Sequence, residues 1–473
     1  MKLHTLINQM LADTKTPVAL YLALRDQYQN ALLLESSDYN SKDGHYSYIC
    51  LNPLASVSLK NSILTTTVNE VPAQTAITFD KKLLLQHLIS FKNKFEYETQ
   101  PLPFCYAGLF GYTSYDIVNY AEDIRLNNHK HLDVPELLYY VYGIILVFNH
   151  NTNSLHVISH HYTDDKAKQQ LQDVTEKIQL STISEFSFST INDTTSSITD
   201  EHYKSLVTKA KEHCQQGDVF QLVLSRRFSQ SFVGDEFNVY RTLKNINPSP
   251  YLFYFDLGSF KIFGSSPEAQ LMIKNNMTEL HPIAGTYKRT GNDDQDLIKA
   301  KELLNDPKEV SEHNMLVDLA RNDLSKYCSE VELKISKQTQ FYSHVIHLVS
   351  KVIGKKKPAT HPFEVLLGTF PAGTLSGAPK HRALQLIDTY EPQSREFYGG
   401  CIGFISHDDQ LNHAIMIRTF LSKDNTLYYQ AGAGIVVSSD EESELQEINN
   451  KVSALKKAIQ QAEKFNNITI SNQ

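Results

Sequence analysis

Two rhythms run through the hydrophobic and polar positions of this chain. Continuous or alternating apolar, β-branched and aromatic residues predict strands over 31–35, 137–148, 219–225, 251–255, 261–263, 401–406, 413–420 and 427–430. Apolar residues spaced by three and four predict helices over 81–91, 294–305, 308–319, 382–389 and 441–465. Another helix begins at Asp200, a fitting N-cap. Its residues Tyr203, Leu206, Val207, Ala210 and Cys214 share one face, and Gly217 ends it. Strands and helices are interspersed without the regular βαβ alternation of a doubly wound sheet. The pattern predicts an α+β fold, with large mixed or antiparallel sheets packed together and helices on the outside.

One stretch breaks both rhythms. Residues 181–199 are rich in Ser and Thr and poor in large aliphatic side chains, as a surface connector is. It separates an N-terminal region, 1–180, from a C-terminal region, 200–465, and a polar tail follows at 466–473. No repeat of about 20–50 residues recurs, which argues against a solenoid or propeller.

Composition narrows the class. A hydrophobic share of 41% across 473 residues supports a large core and excludes a disordered scaffold. With 45 basic and 53 acidic residues the net charge is −8, which argues against nucleic acid as a partner. Cysteines at 50, 105, 214, 328 and 401 are too dispersed for a CxxC pair and read as free thiols in a reducing compartment. The first 16 residues break their apolar positions with Asn8, Gln9, Asp13 and Lys15, unlike a signal peptide. The longest apolar run, 137–148, falls short of the about 20 residues that cross a bilayer. The expectation is a cytoplasmic protein with no membrane partner.

Candidate chemistry comes next. Gly368 and Gly373 are spaced as in a phosphate-binding loop but lack the lysine that reaches the phosphates, and neither 399–403 nor 432–434 fits GxGxxG. ATP and NAD are therefore disfavoured. Gly432-Ala433-Gly434 follows a strand, where it forms a tight turn or lets backbone amides approach a ligand. Glu309 and Glu312 share a face of one predicted helix, and Glu444 and Glu447 share a face of another, with Lys451 one turn further on. Such pairs suit solvated helix faces or, brought together, an oxygen-lined Mg²⁺ site completed by an anionic substrate. His344 and His347 lie three apart on a strand-like run and face opposite sides, so they cannot chelate one zinc ion; either can act alone as an acid or base. Arg418 closes the apolar run 414–417 and offers a bidentate clamp for a carboxylate. These features describe a sheet-rich enzyme with a carboxylate-held Mg²⁺ and a small anionic substrate.

Longer motifs carry a resemblance. NPSPY (247–251), GSSPE (264–268), PIAGT (282–286), LLNDPKEVSEHNMLVDLARNDL (303–324), FPAGTLSGAPK (370–380), YGGCIGF (398–404), IRT (417–419), QAGAGIV (430–436) and ESELQEINNKVSAL (442–455) follow one another in family order. In them the chain resembles the chorismate-utilising enzymes, most closely the anthranilate synthase component I family. LLLES (32–36) resembles that family's N-terminal region.

The resemblance implies that family's fold and the reaction of chorismate with ammonia to give anthranilate and pyruvate. By matched position it implies Mg²⁺ between Glu312 and Glu447, with Glu309 and Glu444 as ligands or water-mediated partners. It implies substrate binding by Gly285, Thr286, Tyr398, Arg418, Gly432, Ala433, Gly434 and Lys451, with Arg418 on the enolpyruvyl carboxylate. Glu268 matches the acid that protonates the departing C4 hydroxyl, His347 matches the histidine of pyruvate loss, and Thr374 matches a nearby active-site threonine. At 284 this chain has alanine, where aminodeoxychorismate synthases read PIKGT and the water-using isochorismate and salicylate synthases place a lysine base. Alanine is neither base nor nucleophile and leaves room for ammonia. No glutaminase cysteine elbow is recognisable, so a separate glutamine amidotransferase subunit, or free ammonium, is expected to supply nitrogen. Ser36, Pro250, Tyr251 and Leu252 match an allosteric L-tryptophan pocket; Leu252 replaces a common methionine at conserved volume. Tyr287-Lys-Arg-Thr and Ser438 depart from the family pattern without removing a named residue. Two other readings are an aminodeoxychorismate synthase, opposed by Ala284, and a silent tryptophan-binding regulator, opposed by the retained acid, histidine, arginine and glutamates.

Overall fold

A computed structural model describes residues 1–37, 45–341 and 345–464. The apolar run expected to be a buried strand becomes Leu137–Asn149, with both faces covered along almost its whole length. One edge pairs with Tyr46–Lys60, the other with Gly108–Thr113 and Ser154–His161. From this middle the antiparallel order extends in two arms. The first runs from Tyr46–Lys60 through Leu32–Glu35, Tyr251–Asp256, Lys261–Ser266, Thr419–Lys423 and Thr426–Ile435 to Gln221–Gly234. The second runs from Gly108–Thr113 through Cys401–Ser406, Leu411–Ile415, Ala269–Lys274 and Met277–Leu280 to Val345–Lys356. That last strand also pairs with Ile283–Lys288 and Cys328–Phe341. The large antiparallel sheet with packed helices is the α+β architecture that the hydrophobic pattern predicts.

The strands that precede the Ser/Thr-rich stretch form the middle of this order and those that follow it flank them on both sides, and Leu33, Ile49 and Leu146 share one core with Leu224, Leu252 and Phe420. The stretch itself adds Phe188–Thr190 and Thr195–Ser196, which pair with Gln221–Gly234. His344 and the tail 466–473 lie outside the described residues.

A helix packs on each arm. Pro307–Ser325 lies against Ile283–Lys288 and Val345–Lys356, and Glu441–Ala462 lies against Thr426–Ile435. Asp306 caps the first through the backbone amides of Lys308 and Glu309, with Pro307 in the first turn, and Asp440 caps the second through Ser443.

At two places, side by side, a strand of one arm runs directly into a strand of the other. Residues 266–268 join Lys261–Ser266 to Ala269–Lys274, and residues 416–418 join Leu411–Ile415 to Thr419–Lys423. The Ile415 amide donates to the Glu268 carbonyl (3.0 Å), and the Ser265 amide donates to the Arg418 carbonyl (3.2 Å). Pro267 has no amide to lose at such a break, and Arg418 adopts φ 49°, in the left-handed region. The single strand expected over 413–420 is therefore two strands. Its apolar run is continuous because both arms are buried, and burial alone does not reveal a change of partner. The opposite error occurs at 219–225, where the strand continues to Gly234 through Arg226 and Arg227. Arg227 is buried against Glu396 (2.9 Å) and Gln430 (3.0 Å), so its charge is satisfied inside the sheet.

Candidate active site

Glu268 and Arg418 occupy the two neighbouring crossings. Glu268 is buried, and Thr374 Oγ1, from the short helix Gly373–Ser376, donates to its Oε1 (3.0 Å). Burial pushes its carboxyl up to about 8, against the opposing pull of Thr374 and of the charges on Arg418 and Lys451. Glu268 is thus largely protonated at neutral pH. His347, on Val345–Lys356, is also buried, and its Nδ1 contacts the Gly285 carbonyl (3.2 Å). A carbonyl only accepts, so Nδ1 carries the hydrogen and Nε2 the lone pair. Burial lowers its pKa to about 4, and the Arg418 charge acts in the same direction. Arg418 therefore stands within electrostatic reach of both groups, and one of its Nη atoms donates to Asn247 Oδ1 (3.4 Å).

Gly285 sits at a bulge between Ala284 and Thr286 with φ 77°, a conformation that favours glycine. Ala284 is buried, and Thr286 is paired with His347 in the ladder. Gly432, Ala433 and Gly434 lie within the strand Thr426–Ile435 rather than in a tight turn. A Cβ on Gly432 would stand 3.1 Å from the Tyr398 hydroxyl, and one on Gly434 would stand 2.5 Å from Gln221 Nε2. A side chain at 432 would crowd Tyr398 and the Leu224 carbonyl (3.0 Å), and one at 434 would displace the end of Gln221. Tyr398 is buried, which raises its phenol well above the usual range.

The acidic pairs approach from the two helices. Glu312 Oε1 accepts from Gln221 Nε2 (2.8 Å), and burial together with the Glu447 charge raises its pKa. Burial also raises Glu444, and Glu447 adds to the shift. Glu447 pairs with Lys451 Nζ (2.6 Å), which also donates to the Gly432 carbonyl (2.9 Å). Glu309 lies one turn before Glu312, in the first turn of its helix. Glu444 Oε2 and Gln221 Oε1 are buried without a hydrogen-bond partner. Mutually repelling carboxylates with unfilled oxygen acceptors suit a hard cation such as Mg²⁺. Among the described residues no three or more His, Cys, Asp or Glu side chains are placed together to hold a metal ion, so Glu309, Glu312, Glu444 and Glu447 do not form a ready ligand set. An ion held here would keep positions for water and substrate.

The regulatory candidates gather elsewhere on the first arm. Leu252 is the ladder partner of Glu35, and the Ser37 hydroxyl donates to the Ser249 carbonyl (2.7 Å), which brings LLES and NPSPY together. Ser36 adjoins this junction, Pro250 is half-buried, and the Tyr251 hydroxyl contacts Met272 Sδ (3.4 Å). Leu252 itself packs into the main core. Two polar side chains that touch the site carry no role in the sequence reading. Gln221 opens a strand and looks like a boundary residue. Asn247 looks like part of a turn, although its place at the head of NPSPY was a usable signal.

A model of the chorismate binding enzyme family matches residues 31–457. The chain is 35% identical to anthranilate synthase component 1 of Aquifex aeolicus, an alignment covering 97% of this chain and 95% of the relative. It is 36% identical to anthranilate synthase component 1 of Bacillus pumilus, with 97% and 92% covered. Anthranilate synthase component I from Streptococcus pneumoniae superposes with a TM-score of 0.78 at 31% identity, covering 94% of this chain and 99% of the other. The menaquinone-specific isochorismate synthase from Escherichia coli superposes at 0.75 with 18% identity, covering 97% and 94%, a likeness of fold.

Proposed function

The chain belongs to the chorismate binding enzyme family, and from that premise we propose that it is the synthase subunit of anthranilate synthase, a lyase converting chorismate and ammonia to anthranilate and pyruvate in the first step of tryptophan biosynthesis. The observation that carries this reading is Glu268, a carboxylic acid kept protonated by burial within reach of the Arg418 charge. Relatives named anthranilate synthase component 1 over nearly the whole length, and alanine at 284, support it further.

Each residue then has a task. Arg418 clamps the enolpyruvyl carboxylate, while Gly285, Thr286, Tyr398, Lys451 and the strand 432–434 line the substrate. Thr374 occupies Glu268 Oε1 as a donor, so Oε2 holds the proton that goes to the departing C4 hydroxyl, which leaves as water. Ala284 supplies neither base nor nucleophile, and ammonia forms the new bond. Neutral His347, with its lone pair on Nε2, suits the proton transfer that accompanies loss of pyruvate. Mg²⁺ between Glu312 and Glu447, with Glu309 and Glu444 binding directly or through water, would hold the ring carboxylate and withdraw electron density.

We assign ammonia supply to a separate glutamine amidotransferase subunit, as the component numbering of the relatives suggests. Five free cysteines fit a cytoplasmic setting. The junction of LLES with NPSPY supports feedback inhibition by L-tryptophan through Ser36, Pro250, Tyr251 and Leu252. Ser36→Phe is then expected to relieve inhibition with turnover near normal, and full inhibition of that variant would rule the pocket out. The central test supplies chorismate, ammonium and Mg²⁺ and identifies the product by fluorescence and mass. Anthranilate with pyruvate supports the assignment. Aminodeoxychorismate or isochorismate overturns it, and tryptophan binding without turnover would favour a silent regulator.

A further inference from the structure

Arg418 needs a fixed side chain to clamp a carboxylate, yet its backbone sits in the left-handed region, where a non-glycine residue is held only by its surroundings. The backbone is held by the Ser265 amide (3.2 Å) and by Gly264, whose missing Cβ would lie 2.9 Å from the Arg418 carbonyl. The guanidinium is met by Asn247. The orientation of that amide is decided by its neighbours. Asn247 is buried, and its Nδ2 faces Ser249 Oγ (3.3 Å), the Ser265 carbonyl (3.4 Å) and Ser265 Oγ (3.4 Å). Its backbone carbonyl accepts from the Ser265 hydroxyl, and its backbone amide donates to the Leu243 carbonyl (2.8 Å). With Nδ2 facing a carbonyl, Oδ1 is the atom turned to Arg418.

We propose that Asn247 is a positioning residue, a neutral acceptor that steadies the Arg418 guanidinium while leaving its full charge to the substrate carboxylate. The proposal rests on the chorismate reading of the site. Neutrality is the essential property. A carboxylate here would hold the guanidinium more tightly but would neutralise it and compete with the substrate. An amide accepts from the guanidinium without adding a negative charge that would compete with the substrate.

The test compares Asn247→Asp, Asn247→Ala and Ser265→Ala with the wild-type chain. Asn247→Asp keeps the shape of the side chain but sets a carboxylate oxygen against the Ser265 carbonyl, so a purely structural role predicts a lowered thermal midpoint with an unchanged chorismate KM. The proposal predicts instead that the chorismate KM rises about tenfold or more with kcat much less changed, whatever the shift in thermal midpoint. Protonating the introduced carboxylate at lower pH should recover part of that loss. Asn247→Ala should also raise KM. Ser265→Ala, which loosens Asn247 without removing Oδ1, should raise it less and covers the case in which an Asn247 variant does not fold. A KM within twofold of wild type for Asn247→Asp, or equal falls in kcat and kcat/KM for it, overturns the proposal. For Ser265→Ala alone, an unchanged KM does the same. Calorimetric chorismate binding is measured beside turnover. If the wild type neither binds nor converts chorismate, it is the functional reading that falls. If it does both and the variants match it, the role of Asn247 falls.

Discussion

At the crossing between the arms, Glu268 has a hydroxyl donor and two positive charges for company, and no other carboxylate pushes on it. Beneath the helices, the Glu447 charge pushes on both Glu312 and Glu444, and two oxygen acceptors there, Glu444 Oε2 and Gln221 Oε1, are unfilled. Burial raises the pKa of Glu268, Glu312 and Glu444 alike, so burial does not separate their roles. Company does. A lone buried carboxyl relieves its desolvation by keeping its proton and becomes an acid, whereas crowded carboxylates are relieved by a shared cation.

The contrast is tested most severely at Glu268. Glu268→Gln keeps a neutral side chain of the same shape but has no acidic proton, so kcat should fall by about 10²–10⁴-fold with chorismate binding retained. Turnover near the wild-type rate would show that Glu268 is merely a buried polar group. At the other end, Glu447→Gln removes one member of the crowd. Mg²⁺ binding followed by calorimetry without substrate should weaken by about 10–100-fold, and EDTA should abolish wild-type turnover until Mg²⁺ is returned. An unchanged Mg²⁺ isotherm in the variant would break the comparison on that side.

A smaller effect is expected from Thr374→Val, which removes the one hydroxyl that pulls the Glu268 pKa down. The alkaline limb of the pH–rate profile should move upward, and kcat should fall about tenfold through lost orientation. An unmoved limb would mean that Thr374 does not act through Glu268. A separate signal lies in stability. Between the ordinary carboxyl value of 4.5 and about 8, native Glu268 keeps a proton that the unfolded chain has released. The unfolded state then binds fewer protons, so this contribution is full at low pH and is lost as pH rises through that window. Melting should show wild type losing ground against Glu268→Gln from about pH 5 to about pH 8 and holding level beyond. A constant difference would remove the raised pKa from the argument.

Local chemistry made much of this legible. The two glutamate pairs one helical turn apart and the apolar middle strand are short-range patterns, and each element stands where its pattern lies; the helix expected to be capped by Asp200 is capped one residue earlier by Thr199, whose hydroxyl accepts from the His202 amide. Motifs such as NPSPY and GSSPE are contiguous, so they could be recognised before any fold was known. Gln221 escaped because nothing in its neighbours marks it, and Asn247, although it heads a recognisable motif, reads there as a turn residue; the partners of both are remote in sequence.

Pairing and environment belong to the tertiary structure. An apolar run states that both its faces are covered, not which strands cover it, so the change of arm inside 413–420 is invisible until the ladder forms. Arg227 reads as the end of a strand until Glu396 and Gln430 arrive to satisfy it. The side-by-side crossings that set Glu268 against Arg418 exist only because long-range antiparallel pairing brings them there. A glutamate's composition is the same everywhere, but its proton affinity follows the field and solvent around it, and those are properties of the folded arrangement alone.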